Sequence, residues 1–204
     1  MNAVRYYFAL LLVVALPPAL LFWFIVHPFA RYWRRIGPGW THTIVWPLLV
    51  VLMGGLFRAR DTLLAVEFGR SAILMIAGLV VLVFAGWLRL KLSAQMTVCI
   101  QMGFPELDPE GQPGKLLTEG AYAVVRHPRY VQMLIAIWGW ALFCNYLAVY
   151  MVFLLAVPAL YLIALIEERE LRARFGRNYD EYARRVPRFL PRLSSRASSG
   201  SHDD

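Results

Sequence analysis

Two groups of ionisable side chains, far apart in the sequence, could do chemistry together. The first is Arg126-His127, set in the run Gly120-Ala121-Tyr122-Ala123-Val124-Val125-Arg126-His127-Pro128-Arg129-Tyr130. The second is the adjacent carboxylate pair Glu167-Glu168, about forty residues on. Proline suits the first turn of a helix, and the residue before it favours an extended backbone. Pro128 is therefore expected to open a helix, with Arg126 and His127 held just outside it. The free N–H groups of that first turn, with the helix dipole, favour a carboxylate or another anionic group. One of the two glutamates can accept from a ligand ammonium or pair with Arg126. Plainer readings exist for each group taken alone. Arg126-His127 could be a basic anchor at a membrane edge, and Glu167-Glu168 a solvated charge run balanced by Arg169, Arg172 and Arg174.

What joins the two groups is the segment between them, which is almost wholly apolar and long enough for a hairpin that crosses a membrane twice. A hairpin returns its ends to one face, so the cations and carboxylates meet at the bilayer edge, where polar groups are costly without a task. That meeting favours a site for a small charged ligand beside a lipid-accessible cavity. The whole chain supports the setting. Of its 204 residues 59% are hydrophobic and 17% charged, against about a quarter charged in a soluble domain. The fold class expected is an all-α integral membrane protein. About 20 apolar residues cross the hydrocarbon core, and five stretches qualify: Tyr6–Val26, Thr43–Phe57, Ala72–Leu88, Tyr130–Leu147 and Ala148–Ile166. Pro17-Pro18 is expected to kink the first.

With the C-terminus in the cytoplasm, alternation through five spans puts 17 basic residues inside and four outside (Arg5, Arg58, Arg60 and Arg70). That is the sign the positive-inside rule requires. The lipid bilayer thus accounts for the net charge of +8, and no nucleic-acid motif is visible. The expected location is multi-pass, in a bacterial inner membrane, with the site facing the cytoplasm. Within the proposed spans there is no Asp, Glu, Lys, Arg or His apart from His42 at an edge, which weighs against ion or proton transport.

Three parts are expected: 1–71 with the first two spans, 72–193 as the core that carries the site, and a disordered tail over 194–204. Within the core, the connection 89–129 is rich in turn formers and too long for a plain connector. After Ile166, Leu171, Phe175, Tyr179, Tyr182 and Val186 make an apolar stripe at helical spacing. Two short amphipathic helices on the cytoplasmic surface are expected there, divided at Gly176 and restarted by Asn178 with Glu181. Cys99 and Cys144 read as packing residues. His27, His42, His127 and His202 are scattered, so no metal site is expected.

The pattern Leu116-Leu117-x-x-Gly120-x-Tyr122-x-x-x-Arg126-His127-Pro128-x-Tyr130, followed by Glu167-Glu168-x-x-Leu171-x-x-x-Phe175-Gly176-x-x-Tyr179-x-x-Tyr182-x-x-x-Val186-Pro187, resembles the isoprenylcysteine carboxyl methyltransferases. The related phospholipid N-methyltransferases share parts of it. The resemblance covers residues 86–191 and implies a membrane enzyme using S-adenosyl-L-methionine, with a lipidic or small apolar methyl acceptor. It implies that Leu117, Gly120, Tyr122, His127, Pro128 and Tyr130 line the cofactor pocket. Glu167 would bind the methionine part with Glu168 beside it, and Arg126 and His127 would be the catalytic pair. An arginine that helps hold the substrate carboxylate in the isoprenylcysteine branch is replaced by Ile163, which counts against a prenylcysteine acceptor. Ile163→Arg is accordingly expected to leave the cofactor site intact. Two other classes remain open at this point: a nicotinamide-dependent reductase of the sterol-reductase type, and a non-catalytic membrane scaffold.

Overall fold

A computed structural model describes residues 3–26, 28–93 and 116–192. The middle of the long connection, with Cys99, and the tail over 194–204 lie outside the described residues. Among the described residues seven α-helices follow in order: α1 (Ala3–Val26), α2 (Ala30–Arg58), α3 (Arg60–Leu63), α4 (Ala72–Ser93), α5 (Pro128–Cys144), α6 (Leu147–Phe175) and α7 (Arg177–Arg185). A single 3-10 turn, Gly120–Ala123, precedes α5. Among the described residues the β-structure is one isolated bridge, Glu67 with Tyr146. The protein is an all-α membrane protein.

Among the described residues four helical stretches are long and apolar enough to cross a membrane: α1, Gly39–Arg58 of α2, α4 and α6. α5 has 17 residues, at the lower end of what spans a hydrocarbon core. Its two ends lie at opposite ends of the bundle. Its C-terminal Cys144 carbonyl accepts from Arg5, at the start of α1, and Asn145 donates to the Gly69 carbonyl ahead of α4. Its N-terminal end meets the far end of α6. Pro17 and Pro18 do not break α1, which is a continuous helix; the non-helical residue inside α2 is Gly37, at φ 81°, just ahead of the stretch that can cross the membrane.

The core is shared by α1, α5 and α6: Ala9, Leu12 and Val13 pack with Ile137, Ala141, Val149, Ala156, Leu160 and Ile163. α4 joins by backbone contact. A Cβ on Gly78 would stand 2.5 Å from the Phe143 nitrogen and 2.7 Å from the Gly139 carbonyl. Small residues at such crossings let helices in lipid approach closely enough to gain packing energy. Gln132 adds a hydrogen bond to the Ala85 carbonyl at 3.2 Å. The outward faces, with Val51, Ile73, Leu90 and Leu155 among many exposed apolar residues, suit lipid.

The C-terminal part departs from expectation in two ways. α6 does not stop near Ile166. It runs on to Phe175, because Glu, Arg, Leu and Ala are all good helix formers and nothing before Gly176 interrupts them. The restart is set by Gly176 rather than Asn178. At φ 54°, ψ −126° Gly176 holds a conformation that suits glycine, and its carbonyl accepts from the Tyr179 and Asp180 amides. One surface helix therefore follows the last span, not two. Its apolar stripe is as expected: Tyr179, Tyr182 and Val186 are buried against Leu116, Leu171 and Phe175.

Candidate functional site

Three short pieces of chain converge at one end of the bundle. Pro128 takes the first position of α5, and His127 stands before it at φ −123°, ψ 59°. The backbone of Arg126 and His127 is not left open. The Arg126 amide donates to the Pro187 carbonyl at 2.8 Å, and the His127 amide to the Arg188 carbonyl at 3.1 Å. The segment after α7 thus lies along the segment before α5. Tyr182 ties the 3-10 turn to the same assembly, its hydroxyl donating to the Tyr122 carbonyl at 2.7 Å.

Onto this frame α6 brings its two carboxylates. Glu168 is buried and receives Arg188 through both oxygens, Nε to Oε1 and Nη2 to Oε2, each at 2.8 Å. His127 Nε2 lies 3.1 Å from its Oε1, and Arg126 Nη1 3.4 Å from the same atom. Three cations hold this carboxylate ionised despite its burial. Glu167 faces differently. Its Oε2 accepts from the Tyr130 hydroxyl at 2.7 Å and lies 3.5 Å from His127 Nδ1, while the side chain stays 30% exposed. Glu168 is thus no part of a solvated charge run. Its close ion pairs come from other segments of the chain, whereas Arg172, on its own helix, turns its guanidinium to Asp180 at 2.8 Å.

His127 bridges the two carboxylates, one ring nitrogen to each. Burial alone would drive its proton off, but the hydrogen bonds and charges of Glu167 and Glu168 outweigh that, and its pKa is raised above the usual 6.5. Its ring stacks on Tyr130, centroids 5.4 Å apart, and packs against Phe189. Burial pushes Tyr179 and Tyr182 up to about 12 and Tyr122 higher still, so all three are neutral at physiological pH. The Nε atoms of Arg126 and Arg129 are buried without a hydrogen-bond partner among the described residues. The arrangement offers a partly open carboxylate beside guanidinium donors, which suits a zwitterionic ligand.

Of the residues expected from the sequence, Arg126, His127, Tyr130, Glu167 and Glu168 come into direct contact, and Tyr122 is close enough to feel the charges of Arg129 and Glu167. Pro128 is buried at the helix start. Gly120, at φ 60°, opens the 3-10 turn, and Leu117 lies in the non-helical stretch just before it. Ile163 is wholly buried in the shared core. An arginine there would put a charge among apolar side chains, so a cost to folding is expected from Ile163→Arg whatever its effect on the cofactor site. Sequence reasoning missed Arg188 and Arg129. Arg188 had one usable signal, its place between Pro187 and Pro191, which keeps that stretch from being helical.

The model of the phospholipid methyltransferase family matches residues 72–178, from the start of α4 into α7. Methanethiol S-methyltransferase 2 of Bradyrhizobium diazoefficiens is 30% identical over 82% of this chain and 66% of its own length. The cobalt-zinc-cadmium resistance protein CzcN of Cupriavidus metallidurans is 42% identical over 39% of this chain and 37% of its own. The protein-S-isoprenylcysteine O-methyltransferase B of Arabidopsis thaliana is 38% identical over 38% of this chain and 40% of its own. The aligned part therefore spans less than two thirds of the length of each of these relatives. No solved structure gives a significant match. The matched region carries the hairpin, both groups of charged residues and the start of α7, and on that ground the chain belongs to the phospholipid methyltransferase family.

Proposed function

We propose that the protein is an integral membrane methyltransferase that uses S-adenosylmethionine and methylates a small apolar or lipidic acceptor, its site facing the cytoplasm. The observation that carries this reading is the division of charge at the hairpin end. Glu167 keeps an open side for an ammonium, and the unpartnered Nε–H groups of Arg126 and Arg129 suit a carboxylate. These are the two ends of an amino acid, and the cofactor's methionine part presents both. When bound, the cofactor supplies an electrophilic methyl group on a sulfonium. The residues then have the tasks of binding, alignment and exclusion of water. Glu167 takes the ammonium, held from behind by Tyr130 and His127. Arg126 and Arg129 take the carboxylate. Tyr122, Tyr130 and Phe189 supply neutral walls.

His127 is not placed to act as a base. Both of its ring nitrogens face carboxylates, so the imidazole serves as a cationic bridge and offers no free lone pair. An acceptor that is already nucleophilic suits such a site better than an ammonium that must first lose a proton. The name of the Bradyrhizobium relative points the same way, to a small thiol. An open apolar groove of about 520 Å³ between α4, α5 and α6, lined by Val81, Phe84, Leu134, Trp138 and Phe153, offers an apolar molecule a place on the lipid side. The test is transfer of a labelled methyl group by purified protein in liposomes to a short-chain thiol, a prenylcysteine and phosphatidylethanolamine. Label in the thiol product is expected. Absence of transfer to all three, with binding of NADPH instead, would refute the reading in favour of a reductase.

A further inference from the structure

Arg188 lies beyond α7, in a stretch outside every helix, yet it makes the strongest bonds in the charged cluster. Its two 2.8 Å contacts form the parallel fork that guanidinium and carboxylate geometry allow. The guanidinium also sits over the Tyr161 ring, 5.6 Å from its centroid. Main chain and side chain act on the same partner from two directions. The Arg188 carbonyl receives the His127 amide, while the Arg188 side chain neutralises the carboxylate that His127 Nε2 shares.

We propose that Arg188 is a positioning residue, acting through Glu168 to fix His127 as the bridge that aims Glu167 at its ligand. The groups around His127 limit what else could do this. Glu167 and Glu168 approach from α6, Tyr130 from α5, Arg126 from the adjoining backbone, and Phe189 from the C-terminal segment. The cationic groups on Glu168 are Arg126 at 3.4 Å, His127 at 3.1 Å and Arg188 at 2.8 Å. Arg188 is the nearest and alone engages both oxygens. Without its side chain, Glu168 Oε2 loses its donor and the carboxylate is free to turn towards Arg126 and His127. The un-neutralised Glu168 then holds the imidazolium more tightly, at the expense of the longer His127 Nδ1 contact that helps to aim Glu167.

Replacing the side chain leaves the Pro187 and Arg188 carbonyls in place, so a charge effect can be told from loss of the backbone clamp. The first measurement is the NMR titration of histidine-labelled protein in nanodiscs, without any cofactor. The chain has four histidines, and His127→Gln assigns the signal. Arg188→Gln removes a positive charge from the cluster, so the His127 midpoint should move upward by about one pH unit, the low end of what a neighbouring charge does. Arg188→Lys keeps the charge and loses the fork, so the midpoint should stay put. The second measurement is calorimetric titration with S-adenosylmethionine, which rests on the function proposed above. Arg188→Lys should bind several-fold more weakly than wild type. A folded Arg188→Gln protein with an unmoved His127 midpoint overturns the proposal whatever the cofactor is. If that variant does not fold, Arg188→Lys decides: a shifted midpoint, or wild-type affinity, overturns it. Failure of wild type to bind S-adenosylmethionine would count against the function and not against the titration result.

Discussion

Neighbours on one helix, Glu167 and Glu168 meet different surroundings: Arg126, His127 and Arg188 close around Glu168, whereas Glu167 leans on Tyr130 and keeps an open side. Adjacent helical positions point about 100° apart, at 3.6 residues per turn, so one can face the cluster while the other faces a ligand. Glu168→Gln would leave its cations without an ionised partner, and breaking a buried pair costs about 3–5 kcal/mol. A marked fall in thermal stability in detergent is the expected result. The pH dependence has a definite sign. His127 has a folded-state pKa raised above 6.5, so its contribution to stability is complete below about that pH and is lost as pH rises through the folded value. A thermal midpoint that declines over that alkaline range in wild type, and no longer does so in His127→Gln, would show it. Much of this cluster was legible because polar residues are rare in so apolar a chain, and those at a hairpin's ends stand out. Which glutamate turns inward, and which of nine tail arginines reaches it, were not. Helical phase and the path of a proline-bounded segment decide those, and neither is written in residue type.

At the scale of elements, the site depends on how α6 is held. One turn before Glu167, Ile163 is locked among Ala9, Leu12 and Leu160, so the register of α6 against α1 and α5 sets where the carboxylates emerge. Ile163→Val should cost about 0.5–1.5 kcal/mol, read as a small drop in thermal midpoint. Ile163→Arg buries an unpaired charge and should abolish the monodisperse peak in size-exclusion chromatography. The α4–α5 crossing is similarly strict. Gly139→Leu drives a side chain into Val81 and the Gly78 backbone, and should separate α4 from the bundle with a comparable loss of folded yield. The spans were legible from apolar run length, and the break at Gly176 from its residue type. The cap at Asn178 failed because Gly176 supplies the first helical carbonyl itself, leaving no place for a side-chain cap two residues later.

At the scale of the molecule, the end of the bundle away from the site has its own charged anchor. Arg5 is buried, paired with Glu67 at 2.7 Å and donating to the Cys144 and Gly69 carbonyls. From the sequence it counted only as one of a few outer basic residues. Its partner lies more than sixty positions away, a pairing that only the return of the chain through the bundle creates. The same contacts put the start of α1, the segment before α4 and the α5–α6 turn at one end, with Arg126, Glu168 and Arg188 at the other. Single cysteines at the exposed positions Asp61 and Arg177 should therefore react from opposite sides of oriented vesicles; labelling of both from one side would refute this arrangement. The proposed function requires that Glu167 meet an ammonium group of the cofactor. Calorimetric titration of S-adenosylmethionine into wild type and Glu167→Gln measures this. A lost charge-assisted hydrogen bond of about 1.5–3 kcal/mol predicts saturable binding in wild type and roughly 10- to 150-fold weaker binding in the variant, at an unchanged thermal midpoint. Equal affinity in the two proteins, or an unfolded variant whose surviving fraction binds normally, would contradict it.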